Sequence, residues 1–156
     1  RILFEMPSNA KRKGPWSAYV CSGTVVEDTN QNYSVILTAA HCVYDDANKA
    51  FARNVIFIPN QDASTSGTDS NCNNDLIGCW APSFGVVDAN WANKSWPNNI
   101  PWDYAFYAVP TSGAHSSGLN AANESLEIAV SPLVTSSGVP NIDISSTSET
   151  QDLKDD

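Results

Sequence analysis

The chain has 156 residues, 16% of them charged, with a formal net charge of -9 and a pI near 4.4. This length is enough for one domain with a core of its own. The acidic balance argues against nucleic-acid binding through phosphates and against docking on an anionic membrane surface. No apolar run approaches the roughly 18 residues of a membrane-spanning helix, so neither nucleic acid nor a membrane is an expected partner.

The N-terminal half is rich in short apolar runs separated by turn residues, which is typical of β-strands. Trp16–Val20 is the first predicted strand, and 22–26 is its continuation. Asp, Thr and Asn then form a turn before the next strand, Tyr33–Leu37, so a hairpin is expected. Residues 44–50 are predicted to form a short helical turn, and Val55–Ile58 another strand.

A histidine follows the hairpin directly. Val35–Leu37 is an apolar strand, the next three residues are small, and His41 then stands beside Cys42 at the exit of a rigid element. A neutral imidazole can take a proton from a hydroxyl and later return it, because histidine titrates near neutral pH. The alternative is a half-buried histidine whose nitrogens are satisfied by backbone groups.

The middle of the chain combines a polar loop with a tryptophan-rich one. Residues 60–74 contain no apolar anchor and are interpreted as a solvated loop. Calcium binding by Asp62, Asp69 and Asp75 is the alternative, although their spacing fits no calcium-loop motif. Trp80–Val87 is predicted to include a strand.

In that strand Gly85 marks a possible bulge. The surface loop that follows carries tryptophans that either line a substrate groove or cover the fold, and covering is expected for at least two of them: Trp91, Trp96 and Trp102.

Asp103 enters an otherwise apolar stretch, where a carboxylate without a partner is unfavourable. Accepting the imidazole N–H of His41 would satisfy it, and capping by backbone amides is the alternative. Further along, His115 lies in a Ser/Gly loop and is expected to be exposed. Residues 126–133 and 139–144 are predicted strands.

Three segments, in this order, resemble motifs of the trypsin-like serine endopeptidases. Thr38–Cys42 resembles the histidine motif, Cys21–Val26 the strand whose cysteine bridges to the one beside that histidine, and Asp103–Phe106 the aspartate segment. The resemblance covers about residues 16–133. It implies an all-β fold, an antiparallel six-stranded-type β-barrel that is the first of the two barrels of such a protease.

The resemblance divides the chain into an N-terminal segment 1–15, a first barrel 16–135, and a crossover or tail 136–156 leading to a second barrel. Arg1 followed by the apolar Ile2 resembles in part an activation site, where cleavage after a basic residue frees an N-terminus that inserts into the second barrel. The usual pair of glycines is lacking here.

The resemblance also implies the chemistry. His41 would act as general base and then general acid in peptide-bond hydrolysis, and Asp103 would orient it. No metal and no organic cofactor would be required. The substrate would be a peptide or protein.

The four cysteines are expected to form structural disulfides. The resemblance pairs Cys21 with Cys42 and leaves Cys72 with Cys79. A zinc site is the alternative, but there is no Cys-x-x-Cys pair and only one further histidine, His115. Disulfides imply an oxidising compartment, so the protein is expected to be secreted or periplasmic.

The nucleophile of this family is not recognisable. The Ser-Gly pairs Ser112-Gly113, Ser117-Gly118 and Ser137-Gly138 lack the doubled glycine of the family's serine loop. These 156 residues alone are therefore expected not to hydrolyse peptides.

Three explanations remain open: a longer protease of which this is the N-terminal part, a two-chain enzyme with the serine on the other chain, and a non-catalytic module that binds a protein partner. In the first two, the partner is a C-terminal barrel that carries the serine.

Overall fold

The computed structural model describes residues 1–27, 32–59, 78–111 and 119, together with the backbone of two strands at 128–134 and 140–144. The strands are β1 Ile2–Pro7, β2 Trp16–Cys21, β3 Thr24–Val26, β4 Tyr33–Thr38, β5 Tyr44–Asp45, β6 Ala50–Phe51, β7 Arg53–Phe57, β8 Phe84–Val87, β9 Ala105–Pro110, β10 Ile128–Val134 and β11 Pro140–Ile144. The helical elements are α1 Ala89–Asn93 and two 3₁₀ helices, Ala40–Cys42 and Ile100–Trp102.

Two antiparallel sheets make up most of the described structure. One has four strands in the order β3-β4-β9-β8, and the other has three in the order β2-β1-β7. β5 pairs with β6, and β10 pairs with β11, each as a two-stranded sheet. The expectation of an all-β antiparallel fold is confirmed.

Alternating side chains explain why these segments are strands. In β4, Ser34, Ile36 and Thr38 are buried while the residues between them are partly exposed, which is the period of two expected of a strand with one face on a core. β1 shows the same alternation from Ile2 to Phe4. Apolar side chains of both sheets share one core cluster, which includes Ile2, Phe4, Ile36, Phe57, Trp91 and Tyr107.

Strand β1 was not predicted from the sequence. Residues 2–7 lie between β2 and β7 as the middle strand of their sheet, and the side chain of Ile2 is fully buried in the core. Ile2 is therefore not available to insert into another barrel, and the activation-site expectation for it is wrong.

Two smaller expectations are also corrected. Residues 44–51 form the β5–β6 hairpin instead of a helical turn, and the rings of Tyr44 and Phe51 meet edge to face at 4.9 Å. Gly85 pairs with Tyr107 in regular register and is not a bulge. A Cβ at this glycine would come within 2.5 Å of Val43 Cγ1 and 2.9 Å of Tyr107 Cε1, so close packing explains the glycine.

Several predictions fall on residues outside those described, and they stay predictions: the loop 60–74, Cys72, His115, the three Ser-Gly pairs and the tail from 145. Among the described residues, no helix combines the length and the hydropathy needed to cross a membrane.

Candidate active site

Strand register brings His41 and Asp103 together. β4 and β9 are antiparallel, and Thr38 pairs with Ala105 at the end of their ladder. His41 follows Thr38 by three residues, and Asp103 precedes Ala105 by two. Both side chains therefore leave the same end of the same strand pair, although 62 positions separate them in the sequence.

His41 is held by the short 3₁₀ helix Ala40–Cys42. The helix is closed by backbone hydrogen bonds from Cys42 N to Ala39 O at 3.1 Å and from Val43 N to Ala40 O at 2.9 Å. Its C-terminal residue, Cys42, forms a disulfide with Cys21 at the end of β2. The predicted Cys21–Cys42 pairing is thus confirmed, and it ties the histidine's helix to the other sheet.

Tyr107 supports this helix from the core side. Its hydroxyl donates a hydrogen bond of 3.0 Å to the carbonyl of Cys42, and the side chain is buried. Burial disfavours the phenolate and raises the pKa of Tyr107 far above its ordinary value. The tyrosine therefore remains a neutral donor to Cys42 throughout the physiological range.

The Asp103 carboxylate contacts His41 twice. Oδ1 accepts the backbone N–H of His41 at 2.9 Å, and Oδ2 lies 2.8 Å from Nδ1 of the imidazole. A carboxylate can only accept, so Nδ1 carries the proton and Nε2 carries the lone pair in the neutral ring. The His41 side chain is 59% exposed and that of Asp103 25%, which leaves the outer edge of the ring accessible.

A second carboxylate fixes the residue after Asp103. Asp88 caps the N-terminus of α1, accepting from Asn90 N at 2.7 Å, and its Oδ2 accepts the Tyr104 hydroxyl at 2.9 Å. The Asn90 backbone N–H and the Tyr104 hydroxyl lower the pKa of Asp88. The hydrogen bond from the Tyr104 hydroxyl to Asp88 also raises the pKa of Tyr104. The Asp88–Tyr104 pair was not predicted from the sequence, although aspartate before a helix is a recognisable capping signal.

The tryptophans divide as anticipated between covering and exposure. Trp91 is 2% exposed and donates from Nε1 to Tyr44 O at 2.9 Å. Trp102 packs against the core. Trp96 is 68% exposed.

An open cleft of about 450 Å³ adjoins His41. Its walls are formed by Arg1, Val20, Ser22, Ala39 and the Cys21–Cys42 disulfide. It lies on the side of the histidine where β2 ends, so a chain that approaches His41 from this side contacts the disulfide.

The zinc alternative fails at this place. Cys21, Cys42 and His41 have ligand atoms within 4.8 Å of one another, but zinc binds cysteine as the thiolate, and these two sulfurs are bonded to each other. Cys79 is also disulfide-bonded, whereas Cys72, its predicted partner, lies outside the described residues.

Comparisons with known proteins find a similar fold among proteases. Residues 8–81, just under half of the chain, match the family model for the lysyl endopeptidase C-terminal domain. No curated protein matches the chain.

Two solved structures are similar. The protease Anisep from Arthrobacter nicotinovorans has a TM-score of 0.60 and 22% identity over 85% of this chain and 49% of its own. A Glu endopeptidase bound to MPD has a TM-score of 0.52 and 17% identity over 86% of this chain and 47% of its own. At these identities the likeness establishes a protease-like fold, and the chain spans about half the length of both structures.

Proposed function

We propose that this chain is the histidine- and aspartate-bearing part of a trypsin-like serine endopeptidase. The observation that carries the proposal is the double contact between Asp103 and His41, through the backbone N–H and through Nδ1. A carboxylate that only capped a turn would need no imidazole. An imidazole held through Nδ1, with its other edge accessible, is arranged for general base catalysis.

In this mechanism Nε2 of His41 takes the proton of a serine hydroxyl as the oxygen attacks the peptide carbonyl. Asp103 keeps the ring in the required tautomer and stabilises the imidazolium that forms. The imidazolium then gives its proton to the leaving amine, and water completes the hydrolysis of the acyl-enzyme by the same route. No step requires a metal or an organic cofactor.

We place the serine and the oxyanion hole on a segment beyond these 156 residues, either later in the same precursor or on a second chain. This is supported by the span of the chain, which covers about half of two protease structures. The isolated 156 residues are accordingly proposed to be inactive.

The residue preferred at the cleaved bond is left open. The matching family model is named for a lysyl endopeptidase, and one similar structure is a Glu endopeptidase. The two names refer to residues of opposite charge, lysine and glutamate. The disulfide supports export to an oxidising compartment, either extracellular or periplasmic.

The test is fluorophosphonate labelling of the protein purified from its source, read by intact mass. Label is expected on a polypeptide that contains these residues within a longer sequence, or on one that co-purifies with them. Label on the isolated 156 residues would contradict the placement of the serine. If no species is labelled, the protease proposal fails in favour of a non-catalytic module that binds a protein partner.

The active form then gives a quantitative check. Asp103→Asn is expected to lower kcat/KM roughly 10³- to 10⁴-fold, because the ring loses its orienting acceptor and adopts the wrong tautomer. Asp88→Asn is the matched control: it makes the same chemical change at a carboxylate that binds Tyr104 and does not contact His41. Equal losses in the two variants would contradict the role of Asp103.

A further inference from the structure

Most of the positive charge of this acidic chain is gathered on one surface. The sequence has eight lysines and arginines. Arg53 pairs with Glu5 at 2.8 Å, Arg1 lines the cleft beside His41, and Lys154 is outside the described residues. The other five are all exposed, and we call them the basic surface: Lys11, Arg12, Lys13, Lys49 and Lys94.

Direct contacts join the three segments that carry these residues. The Arg12 guanidinium, in the turn between β1 and β2, donates to the carbonyl of Lys49 in the turn between β5 and β6. The Lys49 ammonium donates to the carbonyl of Ala92 in α1 at 2.8 Å. Lys94 follows α1 and lies 4.7 Å from the ring centre of Trp102. The charges therefore form one continuous area.

The backbone at this surface is held in place. Ser8 N bonds Pro15 O at 3.2 Å, and Asn9 Nδ2 bonds Lys13 O at 3.0 Å, so the β1–β2 turn is closed on itself. Arg12 and Lys49 have φ angles of 53° and 50°. This left-handed conformation favours glycine or asparagine and is unfavourable for other residues by about 1 kcal/mol. Basic side chains thus occupy positions where other residues would be less strained.

Within the described part of the chain, none of these five basic residues forms a salt bridge, and the two nearby carboxylates bind neutral donors. Asp45 Oδ1 accepts from Ala47 N and Asn48 N at 2.9 and 3.0 Å. Asp46 Oδ2 accepts from Trp96 N and Asn99 Nδ2. Because salt screens charges over about 8 Å at physiological ionic strength, a ligand at this surface responds mainly to the five cations and the carboxylates of Asp45 and Asp46, and less to the net charge of -9.

We propose that the basic surface binds a sulfated polysaccharide. Four of its five cations are lysines, which suit a flexible polyanion as point charges and are depleted in protein–protein interfaces. The exposed ring of Trp96, two residues after Lys94, adds an apolar face on which a sugar ring can stack. The Cys21–Cys42 disulfide supports export to an oxidising compartment, where polysaccharides are available and nucleic acid is a less common ligand. The proposal does not rest on proteolytic activity.

The test measures binding of heparin by isothermal titration calorimetry over a series of salt concentrations. Lys13→Gln is the test variant, and Arg53→Gln is its matched control, since each removes one positive charge from an exposed side chain. The test variant is expected to bind roughly five-fold more weakly, the effect of one lysine, with a shallower salt dependence. The control is expected to bind like the unmodified protein. Thermal melts verify that both variants are folded.

Three outcomes would overturn the proposal. One is the absence of heparin binding by the unmodified protein, and another is an equal loss in both variants, which would indicate a response to net charge alone. The third is tighter binding of poly-glutamate or of a DNA duplex than of heparin, which would assign the surface to an acidic protein or to nucleic acid. Trp96→Ala is expected to weaken heparin binding without altering that of poly-glutamate.

Discussion

The two sheets enclose the same core but contribute differently to the candidate site. The four-stranded sheet β3-β4-β9-β8 carries His41 and Asp103 at one end of its central strand pair. The three-stranded sheet β2-β1-β7 carries neither, and its edge strand β2 is largely exposed. The site therefore depends on the end of one ladder, and the three-stranded sheet acts on it through the shared core and through the Cys21–Cys42 bond.

Removing that bond should have the largest effect on stability. In Cys21→Ala/Cys42→Ala the free energy of unfolding is expected to fall by about 3 kcal/mol, because the bridge closes a loop with a sequence separation of 21 in the unfolded chain. Urea denaturation of the oxidised proteins measures the difference. A loss below about 1 kcal/mol would mean that the two sheets are held together by packing alone.

The second-largest effect on stability is expected from overpacking the four-stranded sheet. Gly85→Val is expected to cost roughly 1–3 kcal/mol, because the new side chain would overlap Val43 and the Tyr107 ring. Val86→Ala, at the adjacent exposed position of β8, is the control and should change stability by less than about 1 kcal/mol. Equal melting temperatures for the two variants would show that the contacts at Gly85 relax freely.

Tyr107→Phe isolates the hydrogen bond under the histidine's helix. The carbonyl of Cys42 loses its buried donor, and the expected cost is about 1–2 kcal/mol. Tyr104→Phe is the matched control, since it removes a hydroxyl that binds Asp88 at the surface, and it should cost less. Denaturation of both variants at neutral pH gives the comparison.

Tyr107→Phe also tests how the stability of the protein depends on pH. Burial raises the pKa of Tyr107 above the value near 10 of an exposed tyrosine, so the folded protein holds this proton more tightly than the unfolded chain. The contribution is therefore complete below about pH 10 and declines as the pH rises above it. Tyr107→Phe should lose less stability above pH 10 than the unmodified protein. An identical decline of stability in the variant and the unmodified protein would show that Tyr107 is not the source of the pH dependence.

The smallest effect on stability is expected from a change in the three-stranded sheet. Glu5 accepts from Arg53 Nε at 2.8 Å and from Asn54 Nδ2 at 3.1 Å, but the ion pair is solvent-accessible. Glu5→Gln should therefore lower the free energy of unfolding by about 0.2–1 kcal/mol, less still at high salt. A larger loss, or any change in kcat/KM of the active form, would remove the distinction between the two sheets.

Much of the candidate site was predictable because its signals are local. Thr38–Cys42, the cysteine at position 21 and the Asp103 segment are short stretches in which chemistry and strand pattern coincide. They led to an all-β antiparallel fold and to a disulfide that the structure confirms, and to a His41–Asp103 contact whose distances it supplies. The catalytic roles of these two residues stay predictions.

Other features depended on contacts between distant segments, which no local pattern contains. β1 was missed because its short apolar run was interpreted as part of an activation site, and only pairing with β2 and β7 makes it a central strand. Gly85 was mistaken for a bulge because Val43, 42 positions earlier, decides what fits there.

The sequence by itself determined which residues can carry acid–base chemistry, since that follows from side-chain type and immediate neighbours. Only the tertiary structure decided which of them meet. It brought Asp103 to His41 through strand register. It brought Arg12 to Lys49, and Lys49 to Ala92, through contacts between the β1–β2 turn, the β5–β6 turn and α1. Burial and contact are properties of pairs far apart along the chain, and they exist only once the chain has folded.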